Sequence, residues 1–138
     1  MYTNLANRKI KEKIELVLPE LSYQITGLLF KVHNEIGQFG REKQYGDLFE
    51  KLLQLDGMSF EREKSLPLEN IDNKFTNIVD FDISNKLLVD LKAKPLITKE
   101  DFSQMKRYLD ASGYELGLIV NFHQKYLKPV RIIRASRK

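Results

Sequence analysis

The sequence predicts an α/β protein in which helices flank a mixed β-sheet within one compact domain, and three observations predict it. Apolar residues keep helical spacing from Leu21 to Leu53; after Asp56-Gly57 the period changes to two; and a further helical stretch between Thr98 and Gly113 precedes two more apolar strands. Helices, three strands, a helix and two strands are most economically satisfied by one sheet with helices against it.

The elements follow in order. Around residues 8–18, Ile10, Ile14, Leu16, Val17 and Leu18 lie among lysines and glutamates, a helix ended by Pro19, so residues 1–19 read as a helical extension to a main domain at 20–138. From Leu21 to Ile36 the apolar positions Leu21, Ile25, Leu28, Leu29, Val32 and Ile36 define one helix face, and Gly37 supplies the stop. The next helix, 42–55, is expected to bury Tyr45, Leu48, Phe49, Leu52 and Leu53. Residues 58–63 alternate Met58 and Phe60 with polar neighbours; after a turn at Asn70–Asn73 come a strand to Ile83, a Ser84-Asn85-Lys86 turn and a strand from Leu87 to Lys92. Thr98 with Asp101 forms a capping box with Asp in place of Glu, opening a helix that buries Phe102, Met105 and Leu109. ELGLIVNF and PVRIIRA close the sheet.

Composition narrows the chemistry. The 138 residues are 42% hydrophobic with 8 Phe and 6 Tyr, enough for a core, and their 30% charged residues are mixed in sign, unlike a disordered tail. The absence of cysteine removes disulfides, thiolate zinc sites and cysteine nucleophiles, so a metal would be held by oxygen or by the two histidines. The first twenty residues carry charges throughout and do not read as a signal peptide; no stretch approaches a membrane span, and a cytoplasmic location without membrane association is expected. Net charge is +4 with a pI near 9.2. No acidic residue follows Glu115, whereas Lys125, Lys128, Arg131, Arg134, Arg137 and Lys138 do. That segment reads equally as a phosphate contact or as a solubilising strand edge and tail.

The hairpin carries the chemistry. Its odd positions, Val79, Phe81, Ile83, Leu87, Val89 and Leu91, are all apolar and form a core face, while its even positions hold Asp80, Asp82, Asp90 and Lys92 with Ile78 and Leu88. A turn centred on Asn85 sets Asp80 opposite Asp90. Two like charges so placed repel by roughly 0.2–1 kcal/mol, and a hard divalent cation resolves the conflict. A charged outer face on which Lys92 pairs the acids is the competing reading of the same parity.

Asp80, nine intervening residues and Asp90-Leu91-Lys92 resemble the split D…(D/E)xK signature of the PD-(D/E)xK nucleases. Upstream HNEIGQFGREKQYGDLFEKLL and downstream QMKRYLDASGYELGLIVNF look like the GxxExxY family, a bacterial branch of that superfamily, over residues 20–134. The resemblance implies a restriction-endonuclease-like core and phosphodiester hydrolysis with Mg²⁺ or Mn²⁺. Asp80, Asp90 and the Leu91 carbonyl would bind metal, Glu42 would complete or support the shell, and Lys92 would position water or stabilise developing charge. Tyr45 matches the motif tyrosine. Gln104 and Tyr108 resemble the polar pair that lines the active-site edge. Among contacts to substrate, Tyr45, Tyr108, Lys128, Arg131 and Arg134 are the candidates. The motif glycine falls at Phe39, flanked by Gly37 and Gly40, which leaves the shape of the turn before Glu42 open.

The remaining signals are weaker. His33 reads as a helix-surface or packing residue that has some chance of touching the site, and His123 as a plain turn residue. Asp82 reads as a solvated carboxylate near the hairpin turn. Tyr23, Tyr114 and Tyr126 are more readily packing groups than base-stacking ones. The expected partner is nucleic acid, with DNA favoured over RNA, and a homodimer is allowed. Two other readings stay open: a nuclease-fold module that binds nucleic acid or a protein without efficient catalysis, and a dimeric accessory subunit whose charged face is an interface.

Overall fold

A computed structural model describes residues 18–67 and 77–134. The expected helix at 8–18 and most of the 1–19 extension, the Asn70–Asn73 turn, and the tail cations Arg137 and Lys138 lie outside the described residues. The elements are α1 (Pro19–Ile36), α2 (Glu42–Leu55), β1 (Phe60–Ser65), β2 (Ile78–Ile83), β3 (Leu87–Lys92), α3 (Lys99–Ser112), β4 (Leu116–Asn121) and β5 (Val130–Ile133).

Helix α1 starts at Pro19, where a missing amide proton has no cost, and ends at Gly37, whose φ of 85° lets its amide donate to the His33 carbonyl at 2.7 Å. Helix α2 buries Tyr45, Phe49 and Leu53, one residue per turn on one face. Helix α3 opens on the expected box, with Asp101 Oδ2 accepting the Thr98 amide at 2.7 Å, and closes at the left-handed Gly113. No described helix is long and apolar enough to cross a membrane.

The sheet runs in sequence order, β1-β2-β3-β4-β5. All neighbours are antiparallel except β3 and β4. A parallel pair needs a crossover connection, and α3 supplies it. Ile25, Leu29 and Val32 of α1 and Phe49 of α2 pack with Phe81, Val89, Leu91 and Val120 on one side of the sheet. Met105 and Leu109 of α3 pack with Leu88, Ile119 and Ile132 on the other. The result is a three-layer α/β/α arrangement with cores on both faces.

Three expectations are corrected here. The even face of the hairpin is not an open charged surface, because the crossover helix needed between β3 and β4 covers it and buries Leu88. Asp82 is accordingly not solvated: it is buried, 2.6 Å from Lys64 Nζ and 2.8 Å from the hydroxyl of Tyr114, two residues beyond the end of α3. Parity also breaks once. Val79 packs with Leu88, on the opposite side of the sheet from Phe81. Between them the β1–β2 ladder skips the pair Glu63 and Asp80, where Glu63 adopts a φ of 53°. A non-glycine residue held there costs about 1–3 kcal/mol, and the local departure frees Asp80 from regular pairing.

Candidate active site

The C-terminal half of β3 carries Asp90 and Lys92. The β2–β3 ladder ends at Phe81 and Val89, so Asp80, next in register opposite Asp90, does not continue it. Its Oδ2 instead accepts the Leu91 amide at 2.7 Å. Burial, then the charge of Asp90, pushes the Asp80 carboxyl up to about 8. The Asp80 carboxyl therefore favours its protonated form at neutral pH in the absence of another cation.

Lys92 Nζ lies 2.8 Å from Asp90 Oδ2, 3.1 Å from Gln104 Oε1 and 3.7 Å from Asp101 Oδ1. Burial is the largest single influence and works to lower its pKa, but the Asp90, Asp101 and Asp80 carboxylates together outweigh it and the net displacement is upward. The ammonium remains charged at neutral pH, which fits it to stabilise negative charge rather than to abstract a proton.

Glu42 is the first residue of α2, and with Asp80 it lines a cleft of about 480 Å³. Asp47, Glu50 and Glu63 add carboxylates to that cleft against Lys43 and Arg62. The Glu42 carboxyl is raised by burial and by Asp90, with Lys92 and Lys94 opposing, so all four groups share one field. Among the described residues no three His, Asp or Glu side chains converge as a ready-made metal cage. The close group is the Asp80–Asp90 pair, with Glu42 beside it.

What positions Glu42 is the turn before it. Tyr45 is fully buried and stacks on Phe122 at 4.2 Å, while its hydroxyl donates to the Gly37 carbonyl at 2.6 Å and accepts the Gly40 amide at 2.8 Å. A Cβ on Gly40 would lie 2.6 Å from Ile36 Cγ2 and 3.0 Å from Tyr45 Cζ, so glycine is needed there. Phe39, where the resemblance puts the motif glycine, is 88% exposed, and the glycine this turn needs is Gly40. The two histidines tie the loop after β4 to α1 and to that turn. His33 Nε2 meets the Gln124 carbonyl and His123 Nε2 the Gly40 carbonyl, each at 2.7 Å. His123 is therefore a tie between loops and not a plain turn residue, and His33 is a packing residue away from the acids.

The proposed substrate contacts separate. Tyr45 is enclosed as described. Tyr108 is buried, its hydroxyl donating to the Ile78 carbonyl at 2.9 Å, and burial followed by Asp90 raises its pKa. Neither ring is open to a ligand, because each hydroxyl is already used to hold backbone. Lys128 is exposed in the β4–β5 loop, at the Asp90 end of the sheet. Arg131, paired with Leu118, reaches Ser22 Oγ at 2.9 Å on the α1 side. Arg134 follows at the opposite end, its amide bonded to the Glu115 carbonyl at 2.9 Å. The reason is direction: β5 runs antiparallel to β4, so each residue after Lys128 retreats from the acids.

Three residues were not singled out as site residues from sequence. Lys94 follows Lys92 by two and could have been found by extending the period. Asp101 was read as a cap, yet its carboxylate also ion-pairs with Lys94 and lies near Lys92. Asn121 is buried, its Nδ2 donating to the Lys94 carbonyl at 2.8 Å and its Oδ1 accepting the Lys94 and His123 amides, each at 3.2 Å. Only the parallel pairing of β3 with β4 brings it there.

Comparison with known proteins places this geometry. No curated protein sequence matches the chain. The solved structure of SSO0001 is similar, with a TM-score of 0.50 and 18% identity over 82% of this chain and 67% of that one, a likeness of fold alone. An alkaline exonuclease (LHK-Exo) from Laribacter hongkongensis is also similar, covering 83% of this chain and 69% of its own with a TM-score of 0.48 and 12% identity. The family model of the PD-(D/E)XK nuclease superfamily matches residues 19–134. The chain belongs to the PD-(D/E)XK nuclease superfamily.

Proposed function

We propose that the protein is a divalent-metal-dependent nuclease that hydrolyses phosphodiester bonds of nucleic acid, with Asp80, Asp90, Glu42, Lys92 and Gln104 at its site. One observation carries the reading: the Asp80 and Asp90 carboxylates stand in register on adjacent strands, with the Lys92 ammonium 2.8 Å from Asp90. The donor set fits a hard cation. It offers oxygen only, and Mg²⁺ is ordinarily held by one or two carboxylates together with water and substrate phosphate. Asp80 and Asp90, with the Leu91 carbonyl beside them, would hold Mg²⁺ or Mn²⁺, and Glu42 would support that shell from α2.

Held there, such a cation would supply polarisation of a phosphodiester and a lowered pKa of bound water. The protein's own groups do the rest. Lys92 stays protonated and stabilises the charge that develops on the phosphoryl oxygens. Gln104 orients the Lys92 ammonium through its 3.1 Å contact, and Asp101 holds the Lys92 and Lys94 side of the site. Glu42 faces the cleft as a half-exposed carboxylate of raised pKa, suited to retaining water beside the pair. Within the superfamily, Glu42, Tyr45 and the shifted glycine at Gly40 support the GxxExxY branch.

The test is cleavage of labelled single-stranded and duplex DNA and RNA in Mg²⁺ or Mn²⁺ by the wild type, Asp80→Ala and Lys92→Ala. Cleavage by the wild type that both variants lose, with their folds intact, is the expected result. Equal cleavage by all three, or none by any, overturns the reading and leaves a nuclease-fold binding module.

A further inference from the structure

The cleft beside Asp80 is acidic, whereas the loops at one end of the sheet are not. Three loops meet at the C-terminal ends of β3 and β4: residues 37–41, 93–98 and 122–129. They are stitched together by side chains. His123 Nε2 holds the Gly40 carbonyl, and Asn121 holds the backbone of Lys94 on one side and the His123 amide on the other. Across the three loops the sequence has Arg41, Lys94, Lys125 and Lys128 and no acidic residue.

Each loop also exposes one large apolar side chain: Phe39 at 88%, Leu96 at 73% and Tyr126 at 70%. The Lys125 ammonium lies over the Tyr126 ring, 5.4 Å from its centroid. Phe39 and, apart from that cation, Tyr126 present their rings to solvent. In a turn fixed by Gly40 and Tyr45, position 39 points outward, so a polar residue would serve the fold as well as phenylalanine.

We propose that this rim binds an unpaired nucleic-acid strand, with bases stacked on Phe39 and Tyr126, Leu96 in apolar contact, and phosphates met by Arg41, Lys94, Lys125 and Lys128. The inference rests on the nuclease reading of the adjacent site and narrows its substrate to single-stranded segments, overhangs or ends. Flat exposed rings interleaved with cations suit unpaired bases, because every base has a face to stack while a duplex hides it. Charge complementarity selects a polyanion over an acidic-apolar protein only in combination with the rings, so a protein partner is the outcome that would displace the proposal.

The experiment measures affinity without cleavage, in Ca²⁺, for a fluorescein-labelled single strand of about 16 nucleotides and the matching duplex. Tighter binding of the single strand is expected, with each of Phe39→Ala and Tyr126→Ala weakening it about tenfold and the duplex less. Because the chain contains no tryptophan, Phe39→Trp provides a reporter whose emission is quenched when a base stacks on it. The salt dependence of the single-strand constant is expected to have a logarithmic slope between about −2 and −3 for three to four phosphate contacts. The same titration on Asp80→Ala separates the two claims. Retained ring-dependent binding without any cleavage by the wild type would remove the nuclease reading and keep this one. Cleavage by the wild type with no loss of single-strand affinity in either ring variant, equal losses on single strand and duplex, or no nucleic-acid binding at all would each overturn the proposal.

Discussion

Asp80 reaches from β2 to the backbone of Leu91 on β3, accepting its amide at 2.7 Å. That bond stands where the sheet ladder would otherwise continue, since regular β2–β3 pairing stops at Phe81 and Val89. It fixes one oxygen of Asp80 on β3 and leaves the carboxylate against Asp90. Strand geometry thus sets the electrostatic conflict on which the proposed chemistry depends.

The first prediction concerns pH. The folded metal-free protein holds Asp80 protonated up to about 8, whereas an unfolded aspartate titrates near its ordinary value of about 4. Below the unfolded value both states are protonated and the full stability is present. As pH rises through the window from about 4 to about 8, the unfolded state ionises first and stability is lost. In EDTA, Asp80→Asn is therefore expected to be more stable than wild type at about pH 9, by urea midpoint, with the difference shrinking toward about pH 5. Parallel pH curves for the two proteins would remove the burial-driven shift.

Lys92 is expected to act through its charge. Lys92→Met should lower kcat by roughly 10²–10³ with little change in KM, the loss typical of removing one group that meets developing charge. If KM rose instead while kcat held, Lys92 would be a binding residue. Circular dichroism of the variant checks that the pairing of β2 with β3 survives the loss of the Asp90 ion pair.

Tyr45→Phe keeps the ring on Phe122 and removes only the hydroxyl that serves Gly37 and Gly40. Leaving buried backbone groups without that partner should cost about 1–3 kcal/mol in denaturant unfolding. Because the same turn leads into Glu42, cleavage should fall as well. A variant with unaltered stability and activity would show that the turn is held by His123 and Gly37 alone.

Gly117 lies on β4 beneath Met105, so close that an added methyl would collide with the Met105 side chain. Gly117→Ala should destabilise by about 1–3 kcal/mol through overpacking. The combination with Met105→Ala should cost less than the sum of the single changes, since the collision is removed. Additive costs would place the strain elsewhere.

Much of this arrangement is written in local pattern. The span of α2 from Glu42 to Leu55, the hairpin turn at Ser84–Lys86 and the Thr98–Asp101 cap follow from spacing and capping chemistry, which act over a few residues. The facing of Asp80 and Asp90 follows from turn length and parity. Local pattern could not show that α3 would cover the even face, because that depends on the parallel pairing of β3 and β4, residues 87–92 with 116–121. Asp82 was misread for the same reason, its Lys64 and Tyr114 partners lying 18 and 32 positions away. Nor could it show that Tyr45 and Tyr108 would spend their hydroxyls on backbone, or that β5 would carry Arg134 away from the acids. Each of these is a long-range contact that a periodicity argument does not see.

The central claim is that Asp80 and Asp90 form a cation seat, and a calorimetric titration of Mn²⁺ into the metal-free protein tests it most directly. The account predicts saturable binding at neutral pH that releases a proton, lost or strongly weakened in both Asp80→Asn and Asp90→Asn while the fold persists. Mn²⁺ binding that is absent in the wild type, or that survives both substitutions unchanged, would contradict it.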